Sequence, residues 1–160
     1  MQISKKVILV GNFGVGKTSL VSRFVHQKFS DQYLTTIGVK VDKKLVSLNG
    51  SELSLILWDI AGESSATKIP KAYTMGAHGI MYVFDVNRPE TYESLSEDIF
   101  EIQKNLKDPG LVVLGNKSDL ASKQLIEKIQ AETQMDILFT SAKTGINVDT
   151  AFESIAKQML

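Results

Sequence analysis

The run Gly11-Asn12-Phe13-Gly14-Val15-Gly16-Lys17-Thr18 constrains this chain more than any other feature. It follows an apolar stretch, Val7–Val10, and precedes one with Leu20, Val21, Phe24 and Val25 at helical spacing. A strand, a glycine-rich turn and a helix in that order make a cradle for phosphate. Glycines let the backbone wrap closely, so several N–H groups point at phosphate oxygens. The start of the helix adds its partial positive charge at the same spot. Lys17 brings a mobile cation to the outer phosphates, and the Thr18 hydroxyl can ligate Mg²⁺. The bland alternative is a glycine-rich turn with a solvated lysine; the flanking strand and helix argue against it.

Strand-length apolar runs and helical patterns alternate along the rest of the chain. Val39–Leu48 and Glu52–Trp58 flank Asn49-Gly50, a strong hairpin signal, and Leu53, Leu55 and Leu57 predict a second hairpin strand mostly buried on both sides. Ile80–Asp85, Leu111–Leu114 and Ile137–Phe139 read as buried strands. The spacing predicts helices over Thr91–Leu106, Ser122–Glu132 and Val148–Met159. Residues 29–37 and the stretch from Asp59 through Pro70 show no clear period. The expectation is one α/β domain over residues 1–160, with a mostly parallel sheet covered on both faces and one antiparallel edge strand.

Composition narrows the function. Lys plus Arg number 18 and Asp plus Glu number 18, which argues against nucleic acid or an anionic membrane surface as a bulk electrostatic partner. The chain has no cysteine, so disulfides, thiolate metal sites, cysteine nucleophiles and a covalent lipid anchor on cysteine are excluded within it. No apolar run approaches the ~18 residues of a membrane span. The apolar stretch after Lys5-Lys6 lacks the length and cleavage site of a signal peptide, so it is expected to be the first strand of a cytoplasmic protein.

Two more motifs follow buried strands. Asn116-Lys117-Ser118-Asp119 comes after Leu111–Leu114, and Thr140-Ser141-Ala142-Lys143 after Ile137–Phe139. Open α/β sheets bind ligands outside the carboxyl ends of their strands, so all three motifs can converge on one crevice. A carboxylate at Asp119 can accept two hydrogen bonds from neighbouring N–H donors. Guanine presents such a pair and adenine does not, and a site built for donors rejects the analogue lacking them by roughly 10⁴–10⁵. Either motif alone is weak, a polar loop with an acid near a helix start; their order after the phosphate cradle is what speaks.

The sequence resembles the small GTPases of the Ras superfamily, the Rab-like branch most closely, over about residues 4–159. The three motifs carry the likeness, together with Thr35-Thr36-Ile37-Gly38-Val39, Trp58-Asp59-Ile60-Ala61-Gly62 and Gly76-Ala77-His78-Gly79. The resemblance implies a P-loop NTPase G domain with a six-stranded sheet and five helices, binding GTP or GDP with Mg²⁺ and hydrolysing GTP. It places Asn12, Phe13, Gly14, Val15, Gly16, Lys17, Thr18 and Ser19 around the phosphates. Phe29 would pack on the guanosine, Thr36 would ligate Mg²⁺ and sense the γ-phosphate, and the Gly62 N–H would bond that phosphate. Asn116, Lys117, Asp119, Leu120, Ser141, Ala142 and Lys143 would surround the base, with the Ala142 N–H at its carbonyl oxygen. The metal set is Thr18, Thr36 and Asp59, the last through water, and the catalytic set is Lys17, Gly62 and Glu63. An effector would read segments 29–40 and 60–75, with an exchange factor and an activating protein as further partners. Loops held by one phosphate and its metal order when it is present and relax when it leaves.

Three features depart from the family. Glu63 stands where the family has a glutamine that orients the attacking water, and a carboxylate there meets like-charge repulsion from the γ-phosphate. Phe13 replaces a small residue, and its ring can crowd the water or a partner's arginine finger, or fold outward as a packing residue. Slow unaided hydrolysis is the expectation. A non-hydrolysing GTP-binding scaffold is the alternative that the same two residues motivate; an ATP-using phosphotransferase shares the phosphate loop but not Asp119. Third, the chain ends at Gln158-Met159-Leu160 with no hypervariable tail or prenylated cysteine, which fits a trimmed chain or a soluble protein relying on protein contacts. Among smaller features, His26 reads as a helix-end surface residue, His78 as structural, Trp58 as partly buried, and Lys40, Lys43 and Lys44 as a solvated edge-strand face.

Overall fold

The computed structural model describes residues 2–30, 38–62 and 69–160. Its strands are β1 (Gln2–Val10), β2 (Val39–Leu48), β3 (Ser51–Ile60), β4 (Gly79–Asp85), β5 (Gly110–Asn116) and β6 (Ile137–Phe139). Its α-helices are α1 (Lys17–His26), α2 (Lys71–Thr74), α3 (Leu95–Gln103), α4 (Lys123–Thr133) and α5 (Val148–Gln158). The sheet runs β2-β3-β1-β4-β5-β6. Every pairing is parallel except that of β2 with β3, the hairpin turned by Asn49-Gly50. This is the α/β architecture expected, with its one antiparallel edge strand.

β1 lies mid-sheet because its apolar run must be buried on both faces. Val7 and Leu9 point into one core with Leu20 and Phe24 of α1 and Phe152 and Ile155 of α5. Ile8 and Val10 point into the other, with Leu95, Ile99 and Ile102 of α3 and Ile129 of α4. The alternation of one strand between two cores is the period of two made visible. The second hairpin strand is buried over most of its length, as its leucines predict.

Element ends differ from the sequence expectation for physical reasons. β1 begins at Gln2, well before its apolar run, because residues 2–6 pair with 52–56 of β3. The helix expected over Thr91–Leu106 is α3, shorter at both ends, preceded by a 3₁₀ turn over Pro89–Thr91. Thr91 is pulled out of helical register by the end of β4, since its hydroxyl accepts the Asp85 N–H at 2.9 Å. α2 has no buried residue and therefore no periodic signal.

The chain reverses direction of winding between β1 and β4, the place where open sheets of this kind leave a crevice. The phosphate loop leaves β1 there, and Asp59, Asp85, Asn116 and Thr140 lie at the carboxyl ends of the neighbouring strands. The start of β2 and the end of β3 are also joined at this edge, where the Ala61 N–H donates to the Gly38 carbonyl at 2.8 Å.

Candidate functional site

A cavity of about 280 Å³ opens over these strand ends. Phe13, Gly14, Gly16, Lys17, Thr18 and Ser19 line one end; Asn116, Lys117, Asp119, Leu120, Ala142 and Lys143 line the other. Phe29, Asp59 and Gly62 also line it, as do Ser30, which belongs to no motif, and Ile60, an apolar member of the Asp59 motif with no chemistry of its own to mark it. Three expected residues stand behind the wall. The Val15 side chain is fully buried in the core, Asn12 contributes its carbonyl, and Ser141 is buried beneath Asp119. Thr36 and Glu63, with residues 31–37 and 63–68 of the two expected effector segments, lie outside the described residues.

The phosphate end is built from backbone. The Leu20 N–H donates to the Gly16 carbonyl at 2.9 Å, and the N–H groups of Lys17, Thr18 and Ser19 belong to the first turn of α1, whose N–H groups point out of the helix end. They form a positive rim suited to phosphate oxygens. Gly16 must be glycine twice over: its φ is 103°, and a Cβ would lie 2.3 Å from the Asn116 side-chain nitrogen.

The five carbonyls from Gly11 to Val15 are all taken by side chains. The Lys17 ammonium donates to Gly11 at 3.0 Å and to Asn12 at 3.1 Å. Arg88 donates to Phe13 at 2.9 Å, Lys117 to Gly14 at 2.9 Å, and the Asn116 amide to Val15 at 2.9 Å. Lys117 is itself held by the buried Asp85 carboxylate at 3.1 Å. The carbonyls of Phe13, Gly14 and Val15, committed in this way to Arg88, Lys117 and Asn116, cannot turn toward a polyanion. Arg88 and Asp85 were not legible as site residues, since a long side chain reaching a backbone carbonyl leaves no sequence pattern.

Lys17 is only 5% exposed. Burial holds its pKa down at about 8, with the Asp59 carboxylate pulling the other way. A buried ammonium with neutral carbonyl partners is primed for an anionic ligand. The Thr18 hydroxyl donates to Asp59 Oδ2 at 2.5 Å. A hydroxyl and a carboxylate side by side are the hard oxygen donors that Mg²⁺ takes, so the residues present fit that ion. Among the described residues no cluster of three His, Cys, Asp or Glu side chains is placed to hold a metal, and phosphate and water would supply ligands beside this pair.

At the base end the Ser141 hydroxyl donates to Asp119 Oδ1 at 2.8 Å, which orients the carboxylate. The Thr140 hydroxyl donates to the Asn116 side-chain oxygen at 3.0 Å. On the outer side Arg23 donates to the Lys143 carbonyl at 2.8 Å, tying α1 to the loop after β6. Phe29 and Leu120 expose apolar surface at this rim.

The departing residue Phe13 is 52% exposed and lines the cavity mouth. Its backbone is pressed against Gly62, where a Cβ would lie 2.5 Å from the Phe13 Cα and nitrogen. Residue 62 therefore admits no side chain. His26 lies 3.6 Å from Asp42, and the His78 Nδ1 accepts the Lys6 N–H at 2.9 Å, both structural. Trp58 is partly buried beneath the Lys6 ammonium, 3.6 Å from the ring centre. Lys40 and Lys43 are exposed on the edge strand, whereas Lys44 is half-buried over the Phe24 ring.

Comparison with known proteins bears on the whole chain. The model of the Ras family matches residues 6–160. The chain is 35% identical over 162 residues to the Ras-related protein Rab-13 of Rattus norvegicus, covering 97% of this chain and 79% of that protein. It is 36% identical over 162 residues to Rab-13 of Bos taurus, with the same coverage. To the Ras-related protein Rab-26 of Bos taurus it is 35% identical over 164 residues; the match takes in 98% of this chain and 64% of the relative's length.

Proposed function

The chain belongs to the Ras family and is a GTP-binding molecular switch of the Rab-like kind, with the GTPase chemistry of that family; we propose that it works with Mg²⁺ and hydrolyses GTP slowly when unaided. The observation that carries the site assignment is the convergence of the phosphate loop, Asp59, Asp119 and the loop after β6 on one cavity.

Lys17 would exchange the carbonyls of Gly11 and Asn12 for the outer phosphate oxygens, gaining a counter-charge for a buried ammonium. Thr18 and Asp59, with Thr36, would hold Mg²⁺, which when bound neutralises charge developing on the phosphates. The Gly62 N–H would meet the γ-phosphate. Asp119, oriented by Ser141, would accept two N–H bonds from guanine, and the Ala142 N–H would meet the base carbonyl. Phe29 would cover the base. An effector would read segments 29–40 and 60–75 in the GTP state, an exchange factor would release GDP, and an activating protein would speed turnover.

Slow hydrolysis rests on Phe13 and Glu63. The Phe13 ring is half-exposed and lines the cavity, where it would crowd an attacking water or a partner's arginine. A carboxylate at Glu63 repels the γ-phosphate and replaces a group that would orient the water.

Two measurements test the reading. Calorimetry on the nucleotide-stripped chain in magnesium buffer is expected to show GDP bound far more tightly than ADP; equal uptake would end it. Single-turnover GTP hydrolysis is expected to speed up in Glu63→Gln and in Phe13→Gly, and no gain in either would remove the charge and steric argument. The nucleotide carried by freshly purified protein addresses the second reading, a GTP-binding scaffold without turnover: mostly GTP favours it, mostly GDP favours a working cycle.

A further inference from the structure

We infer that Arg88 is a positioning residue for the phosphate loop: by holding the Phe13 carbonyl outward it keeps the N–H groups of that loop aimed at the phosphates. The inference rests on the nucleotide-binding reading above.

The geometry is specific. Arg88 donates to the Phe13 carbonyl at 2.9 Å, across 75 residues of sequence. Of the carbonyls from Gly11 to Val15, the others are held by Lys17, Lys117 and Asn116, all within recognised motifs. Phe13 is the one member of the row held from outside them. In a trans peptide the carbonyl and the following N–H lie on opposite edges of one plane, so a Phe13 carbonyl fixed outward turns the Gly14 N–H inward.

Arg88 can do this because its own backbone cannot drift. Its N–H donates to the Asp85 carbonyl at 3.0 Å, and the buried Thr91 N–H donates to the Arg88 carbonyl at 2.9 Å. Pro89 follows, restricting residue 88 to extended backbone, and its φ of −128° and ψ of 93° agree. Asp85, the last residue of β4, holds Lys117, which holds the Gly14 carbonyl. The end of β4 and the turn after it thus brace two consecutive carbonyls, one directly and one through Lys117. Arginine suits the task, since its planar fork serves the carbonyl while Glu90 lies 3.6 Å from its Nε. The side chain is 37% exposed, so water competes and the effect is graded.

The test uses Arg88→Ala and Arg88→Lys in the full chain, loaded with a fluorescent GDP analogue. Arg88→Ala is expected to release it roughly tenfold faster, a factor equivalent to about 1.4 kcal/mol. Arg88→Lys, which keeps a cationic donor, is expected to recover part of that loss. Hydrogen exchange is expected to rise in Arg88→Ala at the amides of residues 12–16 and to stay unchanged in the cores of β1 and β5. Wild-type preference for GDP over ADP is measured alongside; its absence would sink the nucleotide reading itself rather than this inference. Unchanged release and exchange in Arg88→Ala would overturn the inference. So would a fall in single-turnover hydrolysis with release unaltered, which would make Arg88 a catalytic arginine instead.

Discussion

The side-chain amide of Asn116 donates to the Val15 carbonyl at 2.9 Å, joining the base motif to the phosphate loop across 101 residues of sequence. The two ends of the cavity are therefore one hydrogen-bonded body. Asn116 is 1% exposed, and its oxygen accepts from Thr140. Asn116→Ala strands a buried carbonyl and a buried hydroxyl, and is expected to cost ~1–3 kcal/mol in urea unfolding. GDP affinity is expected to fall at least about tenfold in titration, because both walls loosen together.

Asp119 sets the choice of purine. Asp119→Ala removes the acceptor for guanine's paired donors, and the GDP-to-ADP affinity ratio is expected to fall by at least ~10²-fold in parallel titrations. Ser141→Ala keeps the carboxylate but frees its rotation, so an intermediate ratio is expected. A ratio unchanged in both variants would move guanine recognition elsewhere.

Alkaline unfolding reports on Tyr82. Its hydroxyl donates to Asp98 Oδ2 at 2.9 Å. Burial first, then that hydrogen bond and the Asp98 charge, raise its pKa far above the ordinary tyrosine value. Below about pH 10 the phenol is neutral in both folded and unfolded chains and its stabilisation is complete. Above that, the unfolded chain releases the proton and the folded chain keeps it, so stability declines as pH climbs. Tyr82→Phe is expected to flatten that decline by up to about 1.4 kcal/mol per pH unit in urea series run between pH 9 and 11. Tyr92, raised in the same direction, leaves a residual slope.

The helix carrying Lys17 and Thr18 is anchored by a stacked aromatic pair. Phe24 of α1 and Phe152 of α5 lie with ring centres 4.0 Å apart and planes 2° from parallel. Phe152 is fully buried, and Phe152→Ala is expected to cost about 3–5 kcal/mol in chemical unfolding. Phe152→Leu, which keeps most of the volume, is expected to cost less than half of that.

Much of this was legible where chemistry leaves few residue types to choose from. The phosphate loop could be read because close backbone approach demands glycine at Gly16, and the hairpin because a tight two-residue turn favours Asn49-Gly50. The strands around Val7, Ile80 and Val112 could be read from continuous apolarity. Pro89 and the pull of Asp85 on Thr91 hid the true start of α3, and α2 buries nothing that a periodic pattern could reveal. The braces from Arg88 to Phe13 and from Arg23 to Lys143 were invisible, because a carbonyl acceptor has no residue identity. Thr36 and Glu63 lie outside the described residues, so their sequence reading stands on its motif alone.

β2 and β3 form one ribbon, and its two free ends, Gly38 and Ala61, are stitched together beside the cavity. A change of backbone at Gly38 is therefore felt at Ala61, and at the Gly62 that follows it, through one peptide-to-peptide bond.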